Sequence, residues 1–519
     1  MTPALSTPET SAKAFLRRHA GPLFVALLFS TSLFLYWNGV APGDAEHYIN
    51  AALRWREAPL LGENHWSLRH LFVLSIAASF FVFGVSENAA IIPNVIFAAL
   101  TVFITWRFAR RALGEREAAI AASLIATSAF FVARPLELEV YGAEAFFAAL
   151  AMWLFIEAQF DDARPRLLIA AGLAAGVATT LREQSTYLLP VFGFLLIAAR
   201  RRDTIRSLLL VGAGFGAIIA VELLIYAAVA GDPFYRYRID LGHRDIAINA
   251  SMTAGEASLV NRLRRMAGYL VTFPLTTPML AIAAAAGFHL ARSKATLSRR
   301  GAVALRSFGA AAIISAIIVP AVFNLASPRY YPLLTYAAFL LTAVAIADLW
   351  TRKRPRMAVV AGAGVIAVNA FIADFSNYGE YAEAKRLATI AATSSEPIYS
   401  DPLTASRARY QMLLRGATRK EASSKIINGR PPIEHGKLFF KASSARSNDD
   451  LWCVIAVEAV RRPKWSHVLL RESGVARLVG PRLEEIVSPP PPILLIRILE
   501  RPGQTDPVSN RPCIDYQHG

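Results

Sequence analysis

The chain has 519 residues, 55% of them hydrophobic, with a mean hydropathy of +0.39, a formal net charge of +17 and a pI of about 10.1. A soluble chain of this length buries a core without being so apolar, and the long uncharged runs point to membrane spans. Most Arg and Lys residues stand in short clusters between those runs, as charge is used to orient a membrane protein, which argues against a nucleic-acid surface.

In chain order, residues 1–19 are polar, with Arg17 and Arg18 just before the first apolar run. The many spans that follow make that run a start-transfer anchor rather than a cleaved signal. Eleven runs have the length or apolarity of a span: 20–39, 89–106, 118–133, 140–158, 167–181, 187–199, 207–230, 266–291, 307–325, 330–350 and 357–374. A twelfth, 70–86, is decided by charge. If it does not cross, the basic clusters at 17–18, 107–116, 164–166, 200–206, 292–306 and 352–356 all fall on the cytoplasmic side. The segment is therefore expected to lie in the outer interface or to re-enter.

The predicted architecture is an all-α polytopic membrane domain over 20–374, with about 11 transmembrane helices plus interfacial helices. A cytoplasmic N-terminus (1–19) precedes it, and its first periplasmic loop covers 40–88. A small α/β soluble domain follows over 375–519, placed outside the cytoplasm by eleven crossings. In that tail, 397–400, 452–457 and 493–498 read as strands, and 402–415 as a helix started by Asp401 as N-cap. Pro489–Pro492 makes a stiff approach to the last strand. Cys453 and Cys513 pair if the tail meets an oxidising compartment, and otherwise are two buried thiols.

The external face is where chemistry is sought. The stretch 43–48 (GDAEHY) opens the first loop and brings Asp44, Glu46, His47 and Tyr48 close together. Asp44 is placed to cap a helix running to about Trp55, with Asp44, Tyr48, Ala51 and Trp55 on one face. A carboxylate beside aromatic residues at the membrane surface suits proton acceptance from a hydroxyl; an interfacial N-cap is the competing explanation. The stretch 63–70 (ENHWSLRH) crowds His65, Arg69 and His70, residues for contact with a phosphate or a metal, or for anchoring in headgroups. The turn 134–139 (RPLELE) sets Arg134, Glu137 and Glu139 between two spans, where ionisable groups are costly unless paired or used. Glu144 stands one turn into the next span. Arg182 in TTLREQST and Arg329, beside Tyr330, in ASPRYY are lone cations on the side kept poor in them. Each suits a phosphate, whose oxygens match the guanidinium fork, or a salt bridge to Glu139 or Glu183.

Together these features resemble the GT-C class of membrane glycosyltransferases, nearest to the protein O-mannosyltransferase and lipid A aminoarabinose-transferase group. The resemblance rests on Asp44 with Tyr48 four residues later, the non-crossing helix ending in Phe83–Gly84, and the basic turn Arg110 to Arg116. It rests also on the carboxylate Glu139, Arg182 after a small-residue helix, and the late external SPRYYPLL, Ser327 to Leu334. It covers about 20–374. Departures are Ala45 between the two acids where the family has them adjacent, Arg69–His70 before the interfacial helix, and Glu in place of Asp at 139.

The resemblance implies a polyprenyl-phosphate-sugar donor, an extracytoplasmic hydroxyl acceptor (lipid A or its core, an envelope glycan or a protein) and inversion at the anomeric carbon. It implies Asp44 as base, Glu139 as a further catalytic group and Arg69, Arg182 and Arg329 on the phosphate. Glu46, His47, Tyr48, His65, His70, Arg134, Glu137 and Tyr330 would line the substrates. A divalent cation is open, with Asp44, Glu139 and His65 as its donors if there is one. A bacterial inner membrane with a periplasmic tail is the implied location. A secondary transporter and a non-catalytic scaffold or sensor are the rivals; the first lacks paired halves, and the second leaves the external Arg and Glu residues unexplained.

Overall fold

The computed structural model describes residues 9–37, 39–40, 44–55, 62, 64–161, 164–200, 203–240, 258–272, 276–323, 325, 327–376, 382–429, 437–441, 452–458, 464–488, 493–498 and 513. The chain forms two compact units. Met1–Trp37, Asn50–Ala77 and Ile92–Asn377 make the first; Asn38–Ile49, Ala78–Ile91 and Tyr378–Gly519 make the second.

The first unit is helical. Its elements are α1 (Glu9–Tyr36), α2 (Asp44–Arg54), α3 (His70–Phe83), α4 (Glu87–Ala112), α5 (Glu115–Ala126), α6 (Arg134–Leu136), α7 (Tyr141–Glu157) and α8 (Arg164–Leu181). They continue with α9 (Leu188–Ala198), α10 (Thr204–Ala230), α11 (Leu259–Thr272), α12 (Thr277–Ser293), α13 (Arg299–Phe323), α14 (Pro332–Thr351) and α15 (Pro355–Ser376). The start of α2, the end of α3 and the start of α4 belong to the second unit. Among the described residues, α1, α4, α10, α13, α14 and α15 are long and apolar enough to cross a membrane. A seventh candidate is α5 followed by 129–136, bent by 54°. The remaining predicted spans fall on α7, α8, α9 and α12, and the chain is a multi-pass membrane protein. The run 266–291 is not one helix: α11 ends at Thr272 and α12 begins at Thr277, with Pro278 in the first turn, where no N–H is needed. The twelfth candidate is the short helix α3, which exposes Leu71, Leu74, Phe81, Val82 and Phe83.

Two kinds of contact hold these helices. Small residues let α8 and α10 touch: a side chain on Gly172 would meet the Val211 carbonyl, and one on Gly214 the Ile169 carbonyl. A polar knot ties four helices: Tyr336 of α14 accepts from Trp153 Nε1 of α7 at 2.8 Å, lies 2.7 Å from Thr105 Oγ1 of α4 and stacks on Phe308 of α13. Each buried polar atom there has its partner, as an apolar interior requires.

The second unit carries α16 (Ala382–Thr393), β1 (Ile398–Ser400), α17 (Pro402–Leu413), α18 (Arg419–Lys425), β2 (Ile426–Asn428), β3 (Leu438–Lys441) and β4 (Trp452–Glu458). After them come α19 (Trp465–Glu472), α20 (Val475–Val479), α21 (Pro481–Val487) and β5 (Ile493–Ile498). The sheet order is β2-β1-β3-β5-β4, parallel between β2, β1 and β3 and antiparallel on both sides of β5. Strands β1, β4 and β5 and helix α17 were legible in the sequence, and Asp401 caps α17, accepting from Thr404 N at 3.0 Å. Strands β2 and β3, of three and four residues, were not. The Pro489–Pro492 run lies outside the described residues. Cys453 and Cys513 form a disulfide, which settles the choice the sequence left open.

Candidate functional site

At one end of the membrane unit the turn between α6 and α7 is tightly built. Leu138, fully buried, takes a left-handed backbone (φ 62°), and Pro135 sits where a side chain on residue 142 would stand, so Gly142 is required. Asn94 of α4 staples this turn by donating to the carbonyls of Pro135 at 2.7 Å and Glu139 at 3.1 Å. Within it Arg134 and Glu137 pair at 2.5 Å, both buried. The charge of Glu139 is felt at Arg134 and at Arg329.

Glu144, one turn into α7, is wholly buried and is the anchor of Arg182. It accepts from Arg182 Nη1 at 3.0 Å and from Ser185 Oγ at 2.7 Å. The Arg182 guanidinium lies between two rings, 4.3 Å from the centroid of Tyr141 and 4.5 Å from that of Tyr330. Such faces are negative and favour a cation, most so where water is excluded. The salt-bridge partner of Arg182 is thus neither Glu139 nor Glu183. Arg329 stands beside it: Arg182 Nη1 is 3.5 Å from the Arg329 carbonyl, and Arg329 donates to Tyr330 Oη at 3.1 Å. Arg329 has no carboxylate at ion-pair distance among the described residues, and its buried Nε has no hydrogen-bond partner there. Arg69, also buried, is within electrostatic reach of Glu144 and Arg182. The three arginines expected to meet a phosphate are therefore gathered at one end of one unit.

Next to them is a second cluster that sequence reasoning missed. Gly231 (φ 66°) ends α10 in the left-handed conformation that glycine adopts without strain, and the chain turns back. Arg236, 1% exposed, then donates to Glu222 Oε1 at 2.6 Å, to the Thr180 carbonyl at 2.6 Å, to Asp240 Oδ2 at 3.3 Å and to Glu183. Burial would raise the Glu183 pKa, but Arg236 and Arg69 outweigh it and hold it down at about 2. Burial and then the Glu183 charge push Asp240 up to about 7. The available signal was Glu222, an ionisable residue inside an apolar helix.

His70 begins α3 and meets Tyr226 Oη at 2.5 Å, with Trp55 edge-on to its ring. Burial, with Arg236 nearby, draws its pKa down to about 4, so the ring is neutral at neutral pH. His65 lies against Trp66 in the turn before it, ring centroids 3.8 Å apart and tilted by 35°. Among the described residues no three His, Cys, Asp or Glu side chains form a group that could hold a metal ion.

Asp44, Glu46, His47 and Tyr48 lie in the second unit, in the first turns of α2. Asp44 is half-buried and Tyr48 fully buried. Helix α2 ends at Arg54, one residue short of the Trp55 expected.

Residues 70–226 match the model of a family described as dolichyl-phosphate-mannose-protein mannosyltransferase. No curated protein matches the sequence. Among solved structures, ArnT from Cupriavidus metallidurans bound to undecaprenyl phosphate aligns over 92% of this chain and 99% of its own, at 13% identity and a TM-score of 0.50. The archaeal oligosaccharyltransferase AglB from Archaeoglobus fulgidus, in complex with an inhibitory peptide and a dolichol-phosphate, aligns over 81% of this chain, at 13% identity and a TM-score of 0.49. This chain spans 62% of the length of that enzyme. The fold is of the GT-C type, and the chain resembles the mannosyltransferase and aminoarabinose-transferase group.

Proposed function

We propose that the protein is an integral membrane glycosyltransferase that moves a sugar from a polyprenyl-phosphate-sugar donor to an extracytoplasmic hydroxyl of lipid A, another envelope glycan or a protein. Arg329 carries the reading. It is a partly buried cation beside Arg182, cradled by tyrosine rings, with a buried N–H that has no acceptor and no carboxylate at ion-pair distance among the described residues. A guanidinium with no carboxylate beside it keeps donors for an anion, and a phosphate oxygen meets them with charge-assisted bonds. Arg182 and Arg69 add charge beside it, and the ArnT structure that shares this fold holds undecaprenyl phosphate.

In the reaction, the acceptor oxygen attacks the anomeric carbon from the face opposite the phosphate. The carbon–oxygen bond to phosphate breaks as the new glycosidic bond forms, so the configuration inverts. The hydroxyl proton passes to the Asp44 carboxylate and the polyprenyl phosphate departs with the bonding pair. The sugar is oxocarbenium-like at the top of the barrier, and the arginines stabilise the charge growing on the leaving phosphate. Glu139, whose charge reaches Arg329, is assigned to orient that cation or the acceptor. His70, neutral and bonded to Tyr226, suits a hydrogen-bonding role better than a cationic one. The basic clusters favour a cytoplasmic placement of their loops. The Cys453–Cys513 disulfide supports a periplasmic tail, since such bonds persist in oxidising compartments.

The test is a donor panel on purified protein in lipid, wild type beside Asp44→Asn. Both proteins are expected to bind one polyprenyl-phosphate sugar saturably, while turnover falls by about 10²–10⁴-fold in the variant, the range for loss of a general base. Retained turnover removes Asp44 as base; no saturable binding of any donor removes the reading.

A further inference from the structure

The chain that carries Asp44 is held on both sides by the C-terminal part of its own unit. Before it, Glu87 accepts from Val40 N at 2.7 Å, and Lys385 of α16 pairs with Glu87 at 2.9 Å. Both groups close on Gly39, which adopts φ 99°: a side chain there would collide with the Lys385 ammonium and the Glu87 carboxylate. After it, Glu46 lies 3.8 Å from Arg407 of α17. Tyr410, one turn along α17, also feels the Glu46 charge, so one face of that helix is turned to Glu46. Two ion pairs from two helices of the tail therefore bracket a stretch of seven residues, Val40 to Glu46. Both pairs are half-buried and lie near the surface, where ion pairs contribute modestly to stability. Their effect on position is a separate matter, because a displacement of about 1 Å at a reacting group costs up to about 10²-fold in rate.

We infer that the C-terminal segment is a clamp for the Asp44 motif, with Lys385 and Arg407 as positioning residues that act through Glu87 and Glu46. The inference rests on the reading of Asp44 as the base. It gives the tail a part in the chemical step rather than in donor binding, and it assigns Glu46 to the tail rather than to the substrate.

The experiment is a charge reversal with full-length protein in lipid, read as kcat, donor Kd and thermal stability. Arg407→Glu and Glu46→Arg are each expected to lower kcat about tenfold, with donor affinity unchanged within about twofold, and Arg407→Glu/Glu46→Arg together to restore most of kcat. Lys385→Met is expected to lower kcat in the same way without changing donor affinity. A double variant no better than the worse single one, in a chain that binds donor and melts like wild type, overturns the clamp. So does a fall in kcat that merely follows lost donor binding. Asp44→Asn run alongside separates the two ideas: turnover retained there sinks the base, whereas an inactive Asp44→Asn with no charge-reversal rescue sinks the clamp alone.

Discussion

Arg182 and Arg236 are two buried guanidiniums in the same unit, and they are held in opposite ways. Arg236 is closed: three carboxylates and a backbone carbonyl use its donors, and 1% of its surface is exposed. Among the described residues Arg182 has one carboxylate, Glu144, with the Gln184 amide and two tyrosine faces beside it, and its neighbours Arg69 and Arg329 are also cations. A guanidinium ringed by carboxylates, with four of its five N–H groups in use, has little left for an anionic ligand. One held by a single carboxylate and aromatic faces keeps its charge in place while leaving capacity for an anion. The difference separates a structural ion cluster from a candidate phosphate site, although both residues are equally charged and similarly buried.

The largest effect expected is that of Arg182→Ala. It leaves Glu144, with no exposed surface, without its cation, and breaking a buried pair by removing one partner costs about 3–5 kcal/mol. Melting of the purified protein and binding of polyprenyl phosphate are both expected to fall. A variant that melts and binds like wild type would erase the distinction drawn above. A smaller and sharper effect comes from neutralising one carboxylate on each side. Glu144→Gln removes the one acid paired with Arg182 among the described residues and is expected to cost about 1.5–3 kcal/mol, the range for a hydrogen bond to a charged group. Glu222→Gln leaves Arg236 with Glu183 and Asp240 and is expected to cost about 1 kcal/mol or less. Equal losses in denaturant or thermal titrations would mean that the two clusters are not different in kind.

The smallest effect is in pH. Asp240, raised to about 7, keeps its proton in the folded state over a range where the unfolded chain has lost it. Its contribution is fully present below its unfolded pKa, near 3.8, and is lost as pH rises to about 7. Glu183, held at about 2, works in the other sense: its contribution is present above its unfolded value of 4.5 and is lost as pH falls towards 2. Between pH 4.5 and 7 the Asp240 slope is therefore the one to see. Melting temperature followed over that window is expected to decline less steeply with rising pH in Asp240→Asn than in wild type; identical slopes would place the proton elsewhere.

Much of the site was legible because ionisable residues beside apolar runs have few bland uses. Arg134, Glu137 and Glu139 were singled out on cost, Arg182 and Arg329 as lone cations on the side that orienting charge avoids, and all five lie at one end of the membrane unit. For Arg182 the sequence offered Glu139 or Glu183 as partner, although helix pairing also brings Glu144 to its level. The connection between α7 and α8 is short, short connections make antiparallel neighbours, and so the start of α7 and the end of α8 share a level. The Arg236 cluster was not within reach, because it needs the reversal at Gly231 and the approach of α8 to α10 that Gly172 and Gly214 allow. Strands β2 and β3 escaped for a different reason: runs this short show no period, and they lack the flanking Pro397 and Asp401 that mark out the equally short β1.

By itself the sequence determined what length, charge placement and apolar runs determine: a multi-pass helical domain, a composition change near residue 375, and a face rich in misplaced charge. These properties are local and add along the chain. Tertiary structure alone decided which charge meets which, because an ion pair between helices depends on how the helices pack. It assigned Glu144 to Arg182, gave Arg236 its three acids, bound Cys453 to Cys513, and put the Asp44 motif in the unit that carries the tail.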